Sequence, residues 1–391
     1  MDNFTFRNPT KIIFGRGAEK QVGAECAVFG SPILLHYGGG SIKKSGLYDT
    51  ITASLKDAGV EFVELAGVKP NPRLSLVKEG IAICREKGVK LILAVGGGSV
   101  IDSSKTIAAG VPYDGDVWDF FTFKGEPQEA LPVGTVLTIP AAGSESSNGC
   151  VINNEDGDLK RAFDSDHIYP HFSALNPEAA FTLPDYQVAC GTADIIAHLM
   201  ERYFTNTKRV ELMDRLIESA IKTVINNVHA VLETRDDYDS WAEIMWSGTL
   251  AHNNLLNTGR QGDWASHDIE HELSAVYDVA HGAGLAVIFP AWMKHVYKHD
   301  VDRFAQFAVR VFDVDHSFFS PEKTALEGIK RLTELFKSMG LPVNLEGLGI
   351  TDDRFEEMAA KCTAYGPVGH FVPLDKDGVE AVYRLAAASE G

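Results

Sequence analysis

The sequence predicts a parallel-sheet α/β domain over residues 1–184 followed by an all-helical domain over residues 185–391. Three observations carry this. Short, continuous apolar runs alternate with helix-length segments through the first half. Long amphipathic segments with almost no strand-like runs fill the second. Leu183-Pro184 marks the change of texture. A chain of 391 residues is also long for one core, so two domains are the default.

The strand-like runs are 11–14, 33–37, 61–65, 91–95 and 133–137, with helical patterns such as 42–58 and 74–87 between them. Alternation at this spacing predicts a largely parallel sheet covered by helices on both faces. Most of these runs are continuously apolar rather than alternating, in agreement with burial on both sides. The helical half reads as segments 185–204, 208–233, 236–257, 263–277, 283–299 and 321–339, with turn signals such as Gly340-Leu-Pro342. There is no internal repeat and no low-complexity stretch.

Composition narrows the function. Hydrophobic content is 45% and no run approaches the ~18–20 apolar residues of a membrane span. A net charge of −18 disfavours a nucleic-acid surface, because the phosphate backbone would be repelled. The start, MDNFTFRNPTKIIFG, lacks a basic segment followed by an apolar stretch, so no secretion signal is expected. Five scattered cysteines form no CxxC pair, against both a disulfide framework and a cysteine zinc knuckle. A cytoplasmic protein is expected.

Two glycine loops follow strands. In Leu91-Ile-Leu-Ala-Val-Gly96-Gly97-Gly98-Ser99-Val-Ile-Asp102-Ser-Ser-Lys105 a strand runs into a glycine turn and a helix start. Glycines let the backbone approach an anion, and the first amides of a helix favour phosphate. The loop is neither a Walker loop nor GxGxxG, and a plain tight turn is the bland alternative. The second loop is Tyr37-Gly38-Gly39-Gly40-Ser41-Ile-Lys43-Lys44. No carboxylate lies between Tyr37 and Gly46 to grip ribose hydroxyls, while Ser41 and Lys43 suit a 2′-phosphate. The expectation is a Rossmann-like dinucleotide-binding domain favouring NADP(H) over NAD(H), with a solvated helix face as the alternative for the lysines.

The helical half carries the metal candidates. Asp194 and His198 stand four apart in Thr192-Ala-Asp-Ile-Ile-Ala-His198, and a helix puts both on one face. His267 and His271 are again four apart, and His281 follows. One carboxylate with imidazoles suits one borderline divalent ion, Fe(II) or Zn(II), with a position left for substrate. Spacing alone does not separate His267 from His271 as ligands.

Together these features resemble the iron-containing (group III) alcohol dehydrogenases, most closely the butanol dehydrogenase and broad aldehyde reductase branch. The resemblance covers essentially the whole chain. It runs through Asn8-Pro-Thr-Lys-Ile-Ile-Phe-Gly15, Tyr37-Gly-Gly-Gly-Ser41, Lys69-Pro-Asn-Pro72 and the Gly96–Asp102 loop. It continues through Thr138-Ile-Pro-Ala-Ala-Gly-Ser-Glu145, Gly191-Thr-Ala-Asp-Ile-Ile-Ala-His198, His267-Asp-Ile-Glu-His271-Glu-Leu and His281-Gly-Ala-Gly284. Any one motif is weak; their order and spacing are specific.

The resemblance implies a dehydroquinate synthase-like fold. It implies metal ligands Asp194, His198, His267 and His281, with His271 near nicotinamide and substrate but off the metal, as a proton-relay residue. Cofactor contacts carry over to Gly39, Asn71, Gly97, Gly98, Ser99, Asp102, Thr138, Lys160 and Leu183, and the reading of the second glycine loop adds Gly38, Gly40 and Ser41. Gly39 is the position that is aspartate in strictly NAD-using relatives. Lys160, in Asp158-Leu-Lys-Arg-Ala-Phe163, has a solvated hairpin cation as its bland reading. Ala142 departs from the family, which commonly has threonine there.

The implied reaction is reversible hydride transfer between NAD(P)(H) and short-chain primary alcohols or aldehydes; the exposed edges of the first domain separately lead to the expectation of a homodimer. Trp264 and Phe163 are candidates for lining an apolar substrate pocket, and no arginine pair in the metal segments marks an anionic substrate. A dehydroquinate synthase-like lyase, a non-catalytic metal or dinucleotide sensor, and a cysteine-liganded zinc dehydrogenase are the rivals. The lyase needs several basic residues, the sensor leaves an intact His271 unexplained, and the last lacks paired cysteines.

Overall fold

A computed structural model describes residues 1–351 and 354–388. In chain order the elements are β1 (Lys11–Phe14), α1 (Val22–Ala27), β2 (Ile33–Tyr37), α2 (Ser41–Lys44), α3 (Leu47–Asp57), β3 (Phe62–Leu65), α4 (Leu74–Lys87), β4 (Ile92–Gly96) and α5 (Gly98–Gly110). Then come β5 (Val133–Leu137), a hairpin of β6 (Gly149–Asn154) and β7 (Leu159–Asp164), and β8 (Phe172–Leu175). The helices that follow are α6 (Asp185–Tyr203), α7 (Glu211–Glu233), α8 (Tyr238–His252), α9 (Ala265–Tyr277) and α10 (His281–Val296). The last are α11 (Val301–Phe312), α12 (Pro321–Ser338), α13 (Phe355–Cys362) and α14 (Lys376–Ala387).

These elements form two compact units. One comprises Arg7–Leu183 with Thr234–Asn253; the other comprises Met1–Phe6, Pro184–Glu233 and the chain from Asn254 onward. Helix α8 therefore packs with the sheet. Its Thr249 hydroxyl donates to the buried Glu145 carboxylate at 2.6 Å.

The sheet is six-stranded, in the order β1-β8-β5-β4-β2-β3, and every neighbouring pair is parallel. Strands β2, β4, β5 and β8 are buried along their whole length, which explains their uninterrupted apolar character. Alternate residues feed two cores. Leu34, Ile92 and Val133 pack with Val77 and Ile81 of α4 and Ile107 of α5. On the other face Leu35, Leu93 and Val95 meet Val22 and Cys26 of α1 and Ile51 and Leu55 of α3. The continuous helix expected over 42–58 is broken at Gly46, whose φ of 80° begins α3 afresh.

The helical unit is built on α6 and α10. Pro184 precedes α6, where a fixed φ suits a helix start and a missing N–H costs nothing. Helix α10 is apolar on nearly every side and is buried from Gly282 to Met293, so it runs through the core. Phe204, Trp292, Phe304, Phe307 and Phe371 interlock nearby, with Phe204 and Phe304 stacked at 4.5 Å between ring centroids. No helix among the described residues is long and apolar enough to cross a membrane.

Candidate functional site

The glycine loops stand side by side. From β2 the chain runs outward to β3 and then returns to the opposite flank of β2 as β4, so the strand order reverses between β2 and β4. Tyr37 and Val95 are register partners, and the loops 38–40 and 97–98 emerge together from the carboxyl ends of the two strands. Open parallel sheets bind ligands at such a reversal. A Cβ on Gly97 or Gly98 would press on Ile139 or Ala142, so these two glycines let the loop pack. Gly39 and Gly40 have nothing within 4 Å of where a Cβ would lie; the space above them is open. Ser41 starts α2, and Ser99 lies in the first turn of α5, whose N-terminus no side chain caps.

The other dinucleotide candidates belong to the same unit. Asp102 accepts from the Ser144 hydroxyl at 2.6 Å and from the Val151 amide at 3.1 Å. Lys105, wholly buried one turn on, donates to Ser144 Oγ at 3.0 Å, Ser147 O at 2.8 Å and Gly149 O at 2.9 Å. Burial raises the Asp102 pKa and lowers that of Lys105. Thr138 donates its amide to Gly96 O at 3.0 Å, which ties β5's end to the glycine turn. Lys160 is not a solvated cation: it is buried on β7 and donates to Asn71 Oδ1 at 3.1 Å. Asn71 itself takes a φ of 54°. Leu183 closes the turn before α6 by an amide bond to Ala180 O at 3.1 Å. Lys43 lies 3.7 Å from Glu64 and over the Tyr48 ring, so the cation of this loop has a carboxylate beside it.

In the helical unit, three helices bring the metal candidates together. Asp194 Oδ1 lies 3.3 Å from His198 Nδ1, 4.0 Å from His267 Nε2 and 3.8 Å from His281 Nε2. Asp194, His267 and His281 each offer a ligand atom within 4.8 Å of the others, a spacing that suits one small divalent cation after contraction, and His198 stands beside them on the Asp194 side. One carboxylate with three imidazoles is also a donor set for Fe(II) or Zn(II). The ring centroids of His198 and His267 are 4.6 Å apart, and those of His267 and His281 are 5.3 Å apart. His271, one turn after His267, lies 5.5 Å from the His281 ring.

Spacing did not reveal two buried glutamates. Glu201 Oε1 meets His267 Nδ1 at 2.7 Å, and Glu270 Oε2 meets His281 Nδ1. Burial pushes Glu201 up to about 8, while Asp263 rises to about 7 through burial and the charge of Glu201. A cation among the imidazoles would favour the ionised carboxylates. Glu201 follows Asp194 by seven residues and Glu270 follows His267 by three, so helical periodicity was the available signal. Trp264 flanks the cluster, 5.2 Å from the His267 ring. Phe163, expected in a substrate pocket, is instead core: it packs on Phe121 at 4.8 Å and Phe120 at 5.4 Å.

The family description "Iron-containing alcohol dehydrogenase" matches residues 9–177, and its C-terminal counterpart matches residues 188–387. The chain is 45% identical to a probable NADH-dependent butanol dehydrogenase of Bacillus subtilis, covering 99% of this chain and 100% of the relative. It is 35% identical to an NADPH-dependent aldehyde reductase of Escherichia coli, covering 96% and 97% respectively. The crystal structure of NADH-dependent butanol dehydrogenase A from Thermotoga maritima superposes with a TM-score of 0.96 at 41% identity, over 99% of each chain. The chain belongs to the iron-containing alcohol dehydrogenase family and is an oxidoreductase of that class.

Proposed function

We propose that this protein interconverts short-chain primary alcohols and aldehydes, as a butanol dehydrogenase-like enzyme with NADP(H) preferred over NAD(H) and one divalent ion, Fe(II) or Zn(II). The single observation that carries the reading is the convergence of three imidazoles within 4.0 Å of Asp194 Oδ1. The names of the relatives, butanol dehydrogenases and an aldehyde reductase, support the substrate class and a nicotinamide cofactor. They favour a dehydrogenase over a lyase on the same fold.

Asp194, His198, His267 and His281 hold the ion. Bound there, it supplies Lewis-acid polarisation of the substrate oxygen, and the nicotinamide supplies or takes the hydride. Asp194 contributes one negative charge against two positive, which leaves net positive charge toward the substrate oxygen. His271 passes the hydroxyl proton to or from solvent, directly or through water. Trp264 presents an apolar face to a short aliphatic chain and excludes water from it. Gly38, Gly39, Gly40, Ser41, Asn71, Gly97, Gly98, Ser99, Asp102, Thr138, Lys160 and Leu183 bind the dinucleotide.

The preference for NADP(H) rests on the carboxylate-free loop and the open space at Gly39 and Gly40. Relatives at 45% and 41% identity are named NADH-dependent, and parallel assays decide between the two cofactors. We further propose a cytoplasmic homodimer, on the free cysteines and on β1 as an edge strand. The test is an anaerobic assay on butanal with NADPH and NADH in parallel, after chelation and after Fe(II) or Zn(II) add-back. Turnover lost on chelation, restored by metal and faster with NADPH is expected. Full turnover by metal-free protein would overturn the reading.

A further inference from the structure

We propose that Glu201 and Glu270 are positioning residues for the metal: each fixes the tautomer and ring direction of one histidine ligand supplied by another helix. The inference rests on the metal-site reading above and deepens it. His267 and His281 each have two ring nitrogens, and only one of them faces Asp194. In both rings it is Nε2, at 4.0 Å and 3.8 Å from Asp194 Oδ1. The opposite nitrogen, Nδ1, meets a glutamate in both rings: Glu201 for His267 and Glu270 for His281. A carboxylate accepts, so the ring proton resides on Nδ1 and the Nε2 lone pair is left for a cation.

The arrangement runs from helix to helix. Glu201, on α6 with Asp194, braces His267 of α9; Glu270, on α9, braces His281 of α10. Both glutamates are fully buried, where a carboxylate needs partners of this kind. Glu201 is itself held by the Trp264 amide at 2.6 Å and the His267 amide at 3.2 Å, so the start of α9 is set by the residue that orients its ligand. Glu270 accepts from Ser274 Oγ. The neighbouring helix leaves room for it. A Cβ on Gly284 of α10 would overlap Glu270 Oε1, so glycine at 284 is what lets Glu270 stand where it meets His281.

The test measures metal binding rather than turnover. Protein stripped by chelation is titrated with Zn(II) against a competing chelator, and with Co(II), whose visible spectrum reports the ligand field. The variants are Glu270→Gln, Glu201→Gln and Gly284→Ala, with Asp194→Asn as the ligand control. Each of the first three is expected to weaken Zn(II) by about 10–100-fold and to shift the Co(II) spectrum, with the fold intact by circular dichroism. Should Glu201→Gln fail to fold, Glu270→Gln and Gly284→Ala carry the test, since neither alters a ligand. Zn(II) affinity within about twofold of wild type in those two, with binding lost in Asp194→Asn, would overturn the positioning role and leave the metal site standing. Unweakened binding in Asp194→Asn would overturn the metal site and this proposal with it.

Discussion

Gly282 of α10 lies directly against the carbonyl oxygen of Cys190 on α6, so close that a Cβ at 282 would overlap it. His281 is the residue before Gly282, and Asp194 stands one turn after Cys190. This backbone contact therefore sets how near His281 comes to Asp194, with 3.8 Å between Nε2 and Oδ1.

Gly282→Ala should push the two helices apart. The expected cost is about 1–3 kcal/mol of stability, as for other overpacked cores, together with loss of bound metal. Urea unfolding and metal stoichiometry measure both. An alanine variant with the wild-type midpoint and a full metal complement would show that the contact does not set the site.

Lys105 donates to a cluster of loop carbonyls and hydroxyls next to Asp102, and it is wholly buried there. Lys105→Met removes one partner of a buried charged pair, for which about 3–5 kcal/mol is typical. The loop 144–149 should loosen, and affinity for nicotinamide cofactor should fall. Calorimetric titration with NADPH on the folded variant reads the second effect; unchanged affinity would confine Lys105 to stability.

Gly39→Asp introduces a carboxylate into open space at the end of β2. It should repel a 2′-phosphate and accept from ribose hydroxyls, so the ratio of kcat/KM for NADPH to that for NADH should drop at least about tenfold. Parallel initial-rate assays decide it. An unchanged ratio would take the specificity away from this loop.

His36 is buried in β2, where Nδ1 donates to Leu65 O at 2.8 Å and Nε2 accepts from Ser103 Oγ at 2.9 Å. Burial lowers its pKa from 6.5 to about 4. The unfolded chain then binds a proton that the folded chain refuses between those values. The stabilisation is complete above about pH 6.5 and is lost as pH falls toward 4. Between pH 7.5 and 5 this group should cost about 2 kcal/mol. The fall in urea stability over that interval should be smaller by about that amount in His36→Gln; equal falls would show that His36 titrates normally.

Much of the architecture was legible because burial leaves a simple trace. The five expected strands form with ends shifted by at most one residue, and α6 begins at Asp185 where Pro184 announces it. Strand β8 was missed: Phe172-Ser-Ala-Leu175 is four residues long and half small, and only its neighbours β1 and β5 make it a strand. Helices α11, α13 and α14 also went unread, although α11 is amphipathic and capped by Asp300. Asp194 with His198, and His267 with His271, stood out as spacings of four on a helix, whereas the family resemblance picked His267 and His281 as ligands. Glu201 and Glu270 did not stand out, because a carboxylate inside a helix ordinarily faces water and only packing shows these two buried. Phe163 failed for the converse reason: an aromatic beside a ligand segment reads as pocket, yet Phe120 and Phe121 enclose it.

The most direct measurement is an anomalous-difference map at the metal edge from wild-type crystals grown anaerobically with Fe(II) or Zn(II). One strong peak is predicted about 2.0–2.3 Å from Asp194 and from a nitrogen of each of His198, His267 and His281, with His271 outside that shell. A peak elsewhere, or one that omits two or more of these side chains, would contradict the account.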